Sequence, residues 1–102
     1  MQAEFAAYQA AAFGKREPAF FALELCGEAG ELANLEKKAW RGTKMTPETF
    51  AQAVAEEAAD VLITVLNYAN ARDINLARQV ADKLKIIEHR RQTGLMGEKT
   101  GR

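Results

Sequence analysis

A chain of 102 residues has room for one domain, or for one subunit of an assembly that shares its core. Hydrophobic residues make up 48%, ordinary for a folded soluble protein, which excludes wholesale intrinsic disorder. Lys plus Arg and Asp plus Glu are both 14, so no global charge invites nucleic acid or an anionic membrane surface, and any charge chemistry must be local.

The first stretch, MQAEFAAYQAAAFGKRE, carries an acid at Glu4 and no basic residue ahead of its apolar positions, unlike a signal peptide. Residues 2–13 predict instead a short Ala-rich helix stopped by Gly14. Pro18 suits the first turn of a second helix, which runs to about Trp40 before Arg41-Gly42 ends it. A third helix starts at Thr46 as N-cap, with Pro47 at the first helical position and Glu48 in the first turn, and reaches about Ala71. Asp73 or Asn75 caps a fourth helix that extends to about Arg91, and Gly94 begins a polar tail. The expected organisation is one helical domain over 1–94 followed by a disordered tail over 95–102.

No segment alternates like a strand, so the expected fold class is all-α, a four-helix antiparallel bundle. The run ADVLITVLNYA (59–69) is apolar on most sides, more than a surface helix of a monomer needs, and self-association is expected to bury the surplus. No apolar run is long enough to span a bilayer. The single cysteine, Cys26, cannot form an internal disulfide, and a reduced, cytoplasmic location is expected, with Cys26 a packing residue.

The acids are the informative residues. In LELCGEAGEL (23–32), Glu24, Glu28 and Glu31 fall within about 60° of one another around a helix, beside the apolar arc of Leu25, Ala29 and Leu32. In AEEAADVLI (55–63), Glu57 and Asp60 repeat the spacing, with Glu56 nearby and the most hydrophobic run of the chain directly following. An ordinary amphipathic helix sets its charges opposite its core, whereas both pairs stand at the margin of one. If the two helices pack antiparallel, Glu28/Glu31 and Glu57/Asp60 face each other. Four converging carboxylates suit Mg²⁺ or Mn²⁺, and zinc's nitrogen and sulfur ligands are missing from the spacing. The plainer reading is that acid pairs three apart are common on solvated faces. Gly27 and Gly30, each costing about 1 kcal/mol relative to alanine inside a helix, suggest clearance for a neighbouring helix.

GEAGEL (27–32), then 23 intervening residues, then EEAADVL (56–62), resembles the MazG-like all-α nucleoside triphosphate pyrophosphatases, whose signature is ExxE, a gap, then ExxD. The similarity runs from about Phe20 to Arg91 and includes ARDINL (71–76). It implies a hydrolase that splits (d)NTPs between the α and β phosphates into (d)NMP and pyrophosphate, with nucleotide-pool sanitation as one such task. It further implies a dimer or dimer of dimers, Mg²⁺ ligation by Glu28, Glu31, Glu57 and Asp60, and a phosphate contact from Lys83. Three positions depart from the pattern. Thr64 stands where relatives carry an aromatic, and Lys85 and Ile87 occupy the region of a usual asparagine.

Glu24, one turn before Glu28, is the candidate for orienting or deprotonating a water, against a plain role as a solvated edge charge. Lys38, in the cluster Lys37, Lys38, Arg41 and Lys44, is the candidate for attracting a triphosphate, although bases also favour a helix C-terminus. His89 has no serine or cysteine partner in the pattern and is given no catalytic part. The expected partners are a nucleoside triphosphate and further copies of the chain, with no nucleic acid and no membrane. The alternative is a non-catalytic helical nucleotide-binding or assembly module.

Overall fold

The computed structural model describes residues 1–94, so the tail expected to be disordered lies outside the described residues. Four helices follow in order: α1 (Gln2–Ala12), α2 (Pro18–Trp40), α3 (Pro47–Ala71) and α4 (Leu76–Thr93). No strand occurs among the described residues, and the fold is all-α. Among the described residues, no helix is long and apolar enough to cross a membrane.

The helix ends follow local chemistry. Thr46 Oγ1 accepts from the Thr49 amide at 3.1 Å, and Pro47 occupies the first turn, where its missing N–H has no partner to lose. Of the two candidates for the start of α4, Asn75 is the cap, its Oδ1 accepting from the Arg78 amide at 3.1 Å. Asp73 instead adopts a left-handed backbone, φ 57°, inside the preceding turn. Gly94 ends α4 with φ 75°, which a glycine reaches without steric penalty.

The main packing pair is α2 with α3, and α1 lies against α3. The pair is antiparallel: Phe21 shares a cavity with Asn67, Glu28 meets Asp60, and Glu31 meets Glu57. Among the described residues the buried hydrophobic ones are few, namely Phe21, Leu66 and Ala69. Gln2 ties α1 to the α3–α4 corner. Its side chain donates to the Ile74 carbonyl and accepts from the Leu76 amide at 3.1 Å, while its own carbonyl accepts from Asn70 Nδ2 at 3.0 Å.

The expected four-helix antiparallel bundle needs correcting in one respect. α4 packs only slightly against the other helices and buries no residue. Its apolar stripe stays open, with Val80 54% and Leu84 59% exposed. The turn at Asp73 and the Gln2 bridge fix the corner from which α4 leaves, and it does not fold back along the α2–α3 pair. The radius of gyration is 17.2 Å, against about 13 Å for a compact chain of this length.

Candidate functional site

The site is built on the antiparallel seam. α2 carries Glu28 and Glu31 one turn apart, α3 carries Glu57 and Asp60 in the same way, and opposite chain directions bring the two pairs together. Glu28, Glu31 and Glu57 each offer a carboxylate oxygen, all within 4.8 Å of one another. Asp60 joins them through contact with Glu28. Three of the four sequence-derived ligand candidates therefore meet at one place, and Asp60 adjoins them at Glu28 without entering that set.

The electrostatics follow from this crowding. Glu28 is half-buried, and burial first, then the charges of Glu31, Asp60 and Glu24, raise its carboxyl above the ordinary 4.5. Glu57 is half-buried too and is raised by burial, then by its hydrogen bond and charge contact with Glu31, then by Glu28 and Asp60. Each keeps one oxygen, Glu28 Oε2 and Glu57 Oε2, buried without a hydrogen-bond partner. The ion pairs among the described residues join Met1 to Glu4, Arg78 to Asp82 and Arg91 to Glu88, and none reaches the cluster.

Buried carboxylate oxygens are normally paired, and an unpaired one calls for a cation or a proton. The donor set is entirely oxygen, on rigid helices, open on one side through exposed Glu31 and Asp60. These residues fit a hard divalent cation such as Mg²⁺ or Mn²⁺, which binds through a few carboxylates and keeps waters.

Beside the acids lies a groove of about 340 Å³ lined by Glu31, Asn34, Leu35, Ala53, Glu56 and Glu57. Asn34 is the member that sequence reasoning missed. Its signal was available, since it sits three residues beyond Glu31 and so on the same side of α2. Glu24 adds its charge to the Glu28 site from one turn away. Lys38 is exposed in the last turn of α2, on the groove's helix but not among its lining residues.

Lys83 and His89 are exposed on α4, which one chain does not bring to the seam. Thr64 is buried one turn beyond Asp60, its hydroxyl donating to the Val61 carbonyl at 2.8 Å. Cys26, expected to pack, is exposed, on the face of α2 opposite the acids, away from the α3 contact. Gly27 and Gly30 are likewise not clearances for another helix of this chain, since a Cβ at either meets nothing within 4 Å. Compared with protein-family models, curated proteins and solved structures, the chain finds no match in any of the three.

Proposed function

We propose that the protein is a divalent-cation-dependent hydrolase that splits nucleoside triphosphates into the monophosphate and pyrophosphate, acting in the cytoplasm. The observation that carries this reading is the meeting of three carboxylates from two helices, with Asp60 against Glu28 and two buried oxygens left without a partner. Glu28, Glu31, Glu57 and Asp60 would hold Mg²⁺ or Mn²⁺. A cation so held supplies charge neutralisation to the phosphates and acidifies a bound water.

The remaining work falls to side chains of the chain itself. Water adds across the anhydride between the α and β phosphorus atoms, and Glu24 orients it and takes its proton. Asn34 offers an amide donor to a phosphate oxygen from the groove wall. Lys38 draws the triphosphate toward the end of α2. The resemblance to MazG-like pyrophosphatases, carried by GEAGEL and EEAADVL, supports the choice of substrate class.

A panel of dNTPs and NTPs assayed for Mg²⁺-dependent pyrophosphate release tests the reading. Wild type should release pyrophosphate from at least one, and Glu57→Gln and Asp60→Asn should not, with helix content unchanged by circular dichroism. Turnover by either variant refutes the assignment. The open apolar stripe of α4 favours a second reading, a non-catalytic nucleotide-binding or assembly module, which the same panel identifies by the absence of any pyrophosphate.

The same stripe, with the thin core, supports self-association as a dimer or tetramer in which Val80, Leu84 and Ile87 are covered by another copy. A monomer in sedimentation velocity would overturn that.

A further inference from the structure

Two helical turns along the seam from the acids, the chain forms a second, half-open cavity of about 310 Å³, where α1, the α1–α2 connection, the start of α2 and the end of α3 meet. Its volume is at the small end of the range for small-molecule sites. Its walls carry three carboxamides, Gln9, Asn67 and Asn70, together with Phe21, Lys15 and Arg16. None of these belongs to the acid cluster.

Asn67 is the anomalous group. It is 7% exposed, and its Oδ1 is buried with no hydrogen-bond partner. Its Nδ2 donates only to Gln9 Oε1, at 3.4 Å, longer than an ordinary N–H···O bond. Asn70 Nδ2 donates to the Gln2 carbonyl at 3.0 Å, and its Oδ1 makes no hydrogen bond among the described residues. A buried amide with an unmet acceptor beside a weakly held one is a site awaiting a partner.

The placement says what kind of partner. Asn67 follows Asp60 by seven residues on α3, and Phe21 precedes Glu28 by seven on α2. Seven residues are about 10 Å along an axis and return within about 20° of the same face, so cavity and acids share one seam. Glu24 and Thr64 occupy the turn between them. A ligand spanning both has phosphates at one end and, at the other, a flat ring whose edge alternates donors and acceptors. Carboxamides match such edges because they present a donor and an acceptor side by side. Phe21 gives the ring an apolar wall, and Lys15 and Arg16 outnumber the single lining carboxylate, Asp73.

We propose that this cavity takes the nucleobase of the nucleotide whose phosphates engage the acid cluster, and that Asn67 with Gln9 reads the base edge and sets base preference. This rests on the nucleotide reading of the acid site. Binding lets the Asn67 and Gln9 amides exchange their long mutual bond for bonds to the base.

Two measurements on the full chain separate this proposal from that reading. In EDTA, the four nucleoside monophosphates are titrated while the side-chain amides of Asn67 and Gln9 are followed by NMR. With Mg²⁺, kcat and KM are measured on all four triphosphates for wild type and Asn67→Leu. The proposal expects base-dependent amide shifts, and a KM raised about tenfold for the preferred base, the equivalent of about 1.4 kcal/mol, with kcat retained. Base-dependent shifts without turnover sink the hydrolytic reading and support the cavity's assignment. Turnover with unmoved amides and an unchanged base ranking in Asn67→Leu overturns the proposal and leaves the hydrolase standing. If Asn67→Leu loses its helical circular dichroism, Gln9→Leu on the facing wall carries the same test.

Discussion

Replacing Gly27 and Gly30 by alanine should stabilise the protein, although both lie beside the candidate ligands. Both glycines are inside α2, neither has a positive φ, and a Cβ added to either meets nothing within 4 Å. The substitution then acts through helix propensity and unfolded-chain entropy alone, about 1 kcal/mol for each glycine in a helix interior. The pair should give about 2 kcal/mol, less a few tenths for coupling between neighbours one turn apart. For a domain of this size each kcal/mol moves Tm by about 4–8 °C, so the double variant should melt roughly 8–16 °C above wild type. Thermal melts by circular dichroism, in EDTA and at a fixed protein concentration, measure it for both singles and the double. Sedimentation velocity on the same samples checks the assembly state. An unchanged or lower Tm, or a double variant that sediments as a smaller species, would refute the reasoning. It would show that another chain closes on that face and that the glycines are clearance after all.

Glu57→Gln removes a charge from a crowd of like charges, so in EDTA at pH 8 it should melt above wild type while losing any Mg²⁺-induced rise in Tm. A lower melt with the Mg²⁺ response intact would contradict the cluster's role. The raised carboxyls of Glu28 and Glu57 mean that the folded state holds their protons more tightly than the unfolded state does. Without divalent cations, the resulting penalty is absent below about pH 4.5 and grows as pH rises from there through the raised values. Metal-free melts should therefore fall with pH over that window, and saturating Mg²⁺ should flatten the fall. Asn75→Ala deletes the cap of α4, worth about 1 kcal/mol. Because α4 is scarcely packed, the loss should appear as faster hydrogen exchange within α4, with little change in the melt of the α2–α3 pair. Lys83→Ala should leave the Mg²⁺-induced thermal shift unchanged. Loss of pyrophosphate release with that shift intact would show that α4 delivers the lysine to the acids of another copy.

The acid cluster was legible because helical spacing is strict. Once Glu28/Glu31 and Glu57/Asp60 sat three apart at the margin of apolar arcs, an antiparallel contact was enough to bring them together. Helix boundaries were legible for a related reason, since Pro18, Thr46-Pro47, Asn75 and Gly94 each act within one turn. The position of α4 was not. The spacing of Val80, Leu84 and Ile87 reports that a face is apolar, but not which surface covers it. The same holds at Gly27 and Gly30, where an added Cβ meets nothing within 4 Å, and at exposed Cys26, because small residues are compatible with a neighbour without requiring one. The carboxamide cavity was hidden more deeply. Gln9 on α1 is far in sequence from Asn67 and Asn70 on α3, and nothing in either neighbourhood marks the two segments as partners.

Mounting the four acids on two long helices, with none on a loop, gives the cluster a mechanical property. Its mouth opens or narrows only as α2 and α3 move apart or together as whole rods. An ion seated there would set the gauge between them. Mg²⁺ holds oxygen at about 2.0–2.1 Å and Ca²⁺ at about 2.3–2.6 Å, so the larger ion would spread the seam by a few tenths of an ångström along its length. The carboxamide cavity two turns away is walled by the same rods and would feel that spread. Ion radius at one end of the seam would thereby become a dimension of the room at the other.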